Sequence, residues 1–185
     1  MAAVERPDPS DHLQTVAGIV SELQSLRLAP VLVGGMALVI LGSRRVTRDF
    51  DFVVAAPGNR LASVLHVFYD RDLELASRLN EVGDVVSTIS NRKVAAIRLR
   101  LDKPVSGHFF SARTGLRVDL LFDFPIPAAE LAKGATRIKI RSQVFDVASE
   151  MDLLRLKRTA QLQRSVSGDS EDISFLEARR KKARR

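Results

Sequence analysis

The sequence predicts an α+β domain: a mixed β-sheet flanked by helices and finished by a C-terminal helical pair. Three observations predict it. A short apolar strand, Val31-Leu32-Val33, runs into Gly34-Gly35 and an apolar helical segment. A second strand, Asp49 to Val54, alternates polar and apolar side chains, and the middle of the chain carries further alternating runs. Two helix-length segments then close the chain, separated by Ser165-Val166-Ser167-Gly168. Strand-like and helical periods mixed along one short chain fit a sheet layered with helices.

Each element has its own signal. Residues 1–9, with two prolines, read as a flexible arm. Residues 10–27 read as a helix: Ser10 or Asp11 caps it, and Leu13, Val16, Ile19, Val20 and Leu23 recur at helical spacing. After strand 31–33, Met36 to Leu41 reads as a short helix, then 49–54 as a strand. Pro57-Gly58 breaks the chain, and 59–69 and 72–81 read as helices. Val94 to Leu101 alternates and reads as a strand, as do Phe109-Phe110 and Leu116 to Phe122. Residues 136–147 read as a hairpin, with Arg137, Lys139 and Arg141 alternating against Ile138 and Ile140. Helices over 149–164 and 170–183 finish the chain. The expected organisation is an arm (1–9), a core (10–148), helices completing the site (149–178) and a basic tail (179–185).

Composition excludes several classes. The chain has 185 residues, 45% hydrophobic and 28% charged, with a mean hydropathy of -0.00, which suits one globular domain and not a disordered tail. It has no cysteine, so disulfide frameworks, thiolate zinc sites and cysteine nucleophiles are excluded, and its three histidines are scattered. The N-terminus carries acids and prolines and does not read as a signal peptide. The longest uncharged run, Leu28 to Ser43, is too short to span a bilayer, so no membrane role and a cytoplasmic location are expected. Abundant Arg, Ala and Val point to a GC-rich bacterial genome. The net charge of +7 is uneven: residues 155–185 carry a net +6 and the rest a net +1. A uniformly basic, nucleic-acid-coating body is therefore excluded.

The chemistry concentrates in Val31 to Val54. Glycines after a buried strand let a phosphate approach the backbone, where a helix start offers free N–H groups. In strand Asp49-Phe50-Asp51, the two carboxylates share one face and Phe50 takes the other. Clustered acids repel unless a cation sits among them, and oxygen-only ligands suit Mg²⁺. Asp119 interrupts a second apolar strand, and beside the first it makes a third carboxylate, a layout for two-metal phosphoryl transfer. Its bland alternative is a salt bridge to Arg117 or Arg98. Asp123 has the same strand parity as Asp119 and is the rival third acid, while its place before Phe124-Pro125 favours a strand terminator. Arg44, Arg45 and Arg48 precede the acids and suit phosphate contact, Arg48 best of the three. His66 and His108 have no partner at ligand spacing and receive no role.

Gly-Gly, a short helix, Asp-x-Asp on a strand and a later single Asp resemble the polymerase-β-type nucleotidyltransferase superfamily. The closing segment VASEMDLLRLKRTAQLQRSVSGDSEDISFLE, with Lys157 and Asp172, is similar to the terminal helices of the AbiEii-like toxin branch of type IV toxin–antitoxin systems. The resemblance spans about residues 31–177. It implies a nucleotidyltransferase fold and transfer of a nucleoside monophosphate from an NTP to a hydroxyl of RNA, protein or a small molecule. It also implies Mg²⁺ as cofactor and an antitoxin as partner. By that resemblance Gly34, Gly35 and Arg48 contact the triphosphate, and Asp49, Asp51 and Asp119 hold the metals. Asp119 also helps deprotonate the acceptor, Lys157 neutralises phosphate, and Asp172 positions Lys157 or the acceptor. Two rival readings stand beside it: a non-catalytic nucleotide- or RNA-binding module, and an enzyme that adenylylates an antibiotic. The tail, six basic residues in seven, reads either as a solvated end or as an arm for RNA.

Overall fold

The computed structural model describes residues 9–101, 106–163 and 167–183; of the expected arm at 1–9 only Pro9 is described, and it opens the first helix, while of the expected break at 165–168 Ser167 and Gly168 open the last helix. Residues 184 and 185 of the expected tail lie outside the described residues. One eight-stranded mixed sheet carries the fold, in the order β4-β3-β5-β6-β2-β1-β8-β7. Its strands are β1 (Val31–Val33), β2 (Asp49–Val54), β3 (Glu74–Leu79), β4 (Val85–Ile89), β5 (Ser106–Phe110), β6 (Arg117–Phe122), β7 (Thr136–Ile140) and β8 (Gln143–Val147). The helices are α1 (Pro9–Ser25), α2 (Gly34–Ile40), α3 (Leu61–Tyr69), α4 (Arg92–Leu101), α5 (Ala128–Gly134), α6 (Glu150–Gln163) and α7 (Ser167–Ala183). This is the expected α+β arrangement with a C-terminal helical pair. No described helix is long and apolar enough to cross a membrane.

Strand parity divides the sheet into an apolar and a polar face. Phe50 and Phe52 on β2 stand level with Val118 and Leu120 on the parallel neighbour β6, and Phe109 on β5 stands level with Val118. All five side chains are buried, and Phe109 stacks on Phe68 of α3 with ring centroids 3.8 Å apart. Helix α1 buries Val16, Ile19, Val20 and Leu23 on this core, the stripe its spacing predicts. It ends with Arg27 in the left-handed region (φ 56°) and Leu28 N–H donating to Leu23 O, a Schellman-type stop made without glycine.

Two elements differ from the sequence reading. The expected helix over 72–81 is instead strand β3 over Glu74–Leu79 with a turn on either side. Leu73 and Leu75 are buried while Glu74 and Ala76 are less so, a period of two that pairing with β4 and β5 selects over the helix propensity of Leu, Glu and Ala. Residues 94–101 belong to helix α4, not to a strand. Asn91 starts it, its Oδ1 accepting from Lys93 N–H (3.0 Å) and Val94 N–H (3.2 Å), and Ala95 and Leu99, four apart, are the buried pair. Strand β4 and helix α5 are additional to the elements read from the sequence.

The terminal helices pack on each other and reach back to the front of the chain. Arg179 of α7 donates to Leu41 O beyond α2 (2.6 Å) and to Glu150 of α6 (2.8 Å), and its guanidinium lies over Phe175. The expected start of a separate tail at 179 thus falls inside α7, and Arg179 is part of the packed helix.

Candidate active site

The polar face of the sheet gathers the acids. Asp51 on β2 stands directly opposite Asp119 on β6, and Asp119 directly opposite His108 on β5. One step along, Asp49 stands opposite Arg117. Parallel pairing of β2 and β6 puts both acid-bearing strands in one register, so a single two-residue period lines up four charged side chains.

Glycine is required behind this row. Gly34 has φ +66°, and a Cβ there would lie 1.9 Å from Asp51 Oδ2, so the backbone at the start of α2 rests against the carboxylate. At Gly35 a Cβ would meet the Arg45 guanidinium at 3.0 Å. Arg45 runs across that gap to Asp172 of α7, its Nη1 2.5 Å from Oδ2. Arg48, read from the sequence as the phosphate-binding arginine, is exposed just before β2, and the loop arginine that joins the network is Arg45.

Lys157 enters from α6. Its Nζ lies 2.7 Å from Asp172 Oδ2 and 3.0 Å from Asp169 Oδ1, both acids nearly fully buried on α7. The Lys157/Asp172 pair expected from the sequence is therefore a direct ion pair. The Lys157 charge also acts on Asp51, favouring its ionised form.

The three sheet acids are not electrostatically alike. Burial raises Asp51 from 3.8 to about 6, with Asp119 and Asp49 adding to the rise, and Lys157 and Arg117 opposing it. Burial also raises Asp49, against the attraction of Arg117. Asp119 goes the other way: burial would raise it, but hydrogen bonds from His108 and Arg117 hold it below the usual range. Arg117 makes a bidentate fork, Nε to Oδ1 at 2.9 Å and Nη2 to Oδ2 at 2.8 Å, and His108 Nδ1 lies 2.9 Å from Oδ2. The salt-bridge alternative for Asp119 is thus realised with Arg117. Asp123 lies past the far end of β6, where it accepts from Ala56 N–H and Ala128 N–H, the terminator role its place suggested.

Unpaired oxygen donors in a crowded acidic row suit a hard divalent cation, and Asp49 and Asp51 have that character. Among the described residues no three His, Asp or Glu side chains are already gathered in a metal-holding group. Asp119 is the one turned aside, toward Arg117 and His108. Sequence reading missed His108, Arg117 as a site residue, and Asp169. His108 carried no signal, since its partner is eleven residues away and only strand register joins them. Arg117 had one: it shares strand parity with Asp119.

The sheet order, the strand–glycine–helix and the acid-bearing strands define a nucleotidyltransferase fold, and solved structures agree. The chain is similar to the antibiotic-resistance factor ANT(2'')-Ia (TM-score 0.55, 11% identity, 91% of this chain and 84% of that one). It is similar to the lincosamide antibiotic adenylyltransferase LnuA (TM-score 0.54, 12% identity, 89% and 95%). It is also similar to an antigenic nucleotidyltransferase-like protein from Paracoccidioides brasiliensis (TM-score 0.53, 20% identity, 90% and 76%). At such identities the likeness is one of fold. No protein-family model matches the sequence, and no curated protein matches it.

Proposed function

We propose that the protein is a Mg²⁺-dependent nucleotidyltransferase that moves a nucleoside monophosphate from an NTP to a hydroxyl acceptor. The observation that carries the reading is the register: Asp51 opposite Asp119, with Asp49 one step along the same face and Gly34 backbone against Asp51. In this reading Asp49, Asp51 and Asp119 hold the metal, which when bound supplies charge neutralisation at the transferred phosphate. The bare backbone at Gly34 and Gly35 admits the triphosphate close to the chain. Lys157, steadied by Asp169 and Asp172, supplies positive charge on the side of Asp51, and Arg45 and Arg48 flank the approach. Asp119 orients the acceptor hydroxyl and draws off its proton. The toxin role and an antitoxin partner rest on the resemblance of α6 and α7, with their Lys157/Asp172 pair, to the AbiEii-like branch; RNA, protein or a small molecule serves as acceptor.

The engagement of Asp119 by Arg117 and His108 favours a second reading, a nucleotide-binding module of the same fold that does not transfer. One assay separates them. Radiolabelled NTPs are incubated with Mg²⁺ and with RNA, protein or a small-molecule panel, for wild type and Asp49→Ala. Label transfer and pyrophosphate release that Asp49→Ala abolishes are expected. NTP binding with no release by the wild type establishes the second reading instead.

A further inference from the structure

Arg117 touches more than Asp119. Its third nitrogen, Nη1, donates to Gly83 O at 2.6 Å. Gly83 lies in the turn between β3 and β4, and this turn is built from its own parts. Asn80 Oδ1 accepts from Val82 N–H (3.1 Å) and Asp84 N–H (2.8 Å), Asn80 O accepts from Gly83 N–H (3.0 Å), and Gly83 has φ +90°. These bonds are internal to the turn, and the Arg117 contact ties it to the sheet. Val82 at its tip is 82% exposed, and Asp84 lies close enough to Asp49 to repel it. One guanidinium thus joins the third acid of the row to the β3–β4 turn.

We propose that Arg117 is a positioning residue, a latch that holds Asp119 in reserve and holds the β3–β4 turn to the sheet, so that cation uptake by the acids and release of the turn are one coupled step. The proposal rests on the reading of Asp49, Asp51 and Asp119 as cation ligands. A carboxylate has about four lone-pair sites, and the Arg117 fork and His108 occupy three on Asp119. A dication and a guanidinium repel, so they do not share the same carboxylate edge. When Asp119 turns to a cation, Arg117 gives up the fork, and its hold on Gly83 shifts with it. The coupling is reciprocal: whatever docks on the turn and draws it away also frees Asp119. In the proposed function, an acceptor that bears on the turn would be such a molecule.

The test uses the full chain, with Mn²⁺ as probe. Binding is followed by electron paramagnetic resonance, and the turn by hydrogen exchange of peptides covering residues 79–85. In the wild type, Mn²⁺ is expected to speed exchange of the turn by about fivefold, and Asp51→Asn to abolish both binding and this effect. Arg117→Ala is expected to exchange at the fast rate without metal and to bind Mn²⁺ about tenfold more tightly. Arg117→Lys keeps the charge but lacks the fork, and it is expected to show the same fast exchange should the alanine variant not fold. Wild type that binds Mn²⁺ with unchanged turn exchange overturns the latch while sparing the metal reading. Absence of Mn²⁺ binding in wild type and variants alike removes the metal reading, and the latch with it.

Discussion

Asp51→Asn should make the metal-free protein more stable at neutral pH, although it removes a residue central to the site. Asp51 titrates near 3.8 in an unfolded chain and at about 6 in the fold. The folded state therefore binds this proton more tightly than the unfolded state. Below 3.8 both states are protonated and burial of the carboxyl carries no ionic penalty. As pH rises through the interval up to about 6 the unfolded chain ionises first, and stability falls; above that the full penalty stands. The gap corresponds to about 3 kcal/mol, an upper figure because Asp51 keeps some access to water. Among the described residues no hydrogen bond of Asp51 is at stake, and asparagine nearly matches its shape. A gain of about 2–3 kcal/mol at pH 8, or about 5–10 °C in Tm, is expected, shrinking to less than about 1 kcal/mol near pH 4. Thermal unfolding of both proteins in EDTA across that range measures it. Mg²⁺ should then raise the Tm of the wild type and leave Asp51→Asn unmoved. Equal or lower stability of Asp51→Asn at pH 8 would show that the acidic row is not strained by its own charge.

Two further substitutions test the packing around the site. Lys157→Met removes the lysine shared by the buried Asp169 and Asp172, Arg45 staying on Asp172, and should cost about 3 kcal/mol in urea unfolding; Lys157→Arg should recover part of that loss. Arg27→Gly relieves a left-handed, exposed residue at the end of α1 (φ 56°) and should add about 0.5–1 kcal/mol of stability. A loss in the same urea titration would mean that the Arg27 side chain contributes contacts of its own.

The parts legible in the sequence were those whose signal is local. The strand parity of Asp49 and Asp51, the glycines after β1, the hairpin over 136–147 and the helix stripe of α1 each lie within a few residues. The helices and strands that misled are those where local propensity and tertiary pairing disagree. Leu73 to Leu79 is rich in helix formers and becomes β3 because β4 and β5 bracket it. Val94 to Leu101 alternates by accident, while Asn91, a cap signal plainly present, fixes a helix. Site residues divide the same way. Asp119 could be picked out as an acid in an apolar strand. That Arg117 would fork it and His108 join it depends on the register of β5 against β6, which no spacing in the chain encodes.

Charge ties these observations together. Around the row, six carboxylates among the described residues (Asp49, Asp51, Asp84, Asp119, Asp169 and Asp172) outnumber the arginine and lysine charges that pair with them or act on them, Arg45, Arg117 and Lys157. With all ionised, negative charge is in excess, and it adds to the rise that burial imposes on Asp51 and Asp49. A divalent cation would reduce that excess. The local sign is thus opposite to that of the whole chain, whose net +7 sits mainly beyond residue 154. A bare triphosphate at this face would meet repulsion from the acids. In the proposed function, Asp49 and Asp51 would hold a cation, whose charge would offset that repulsion. Arg117, forked on Asp119, already supplies part of the offset within the row.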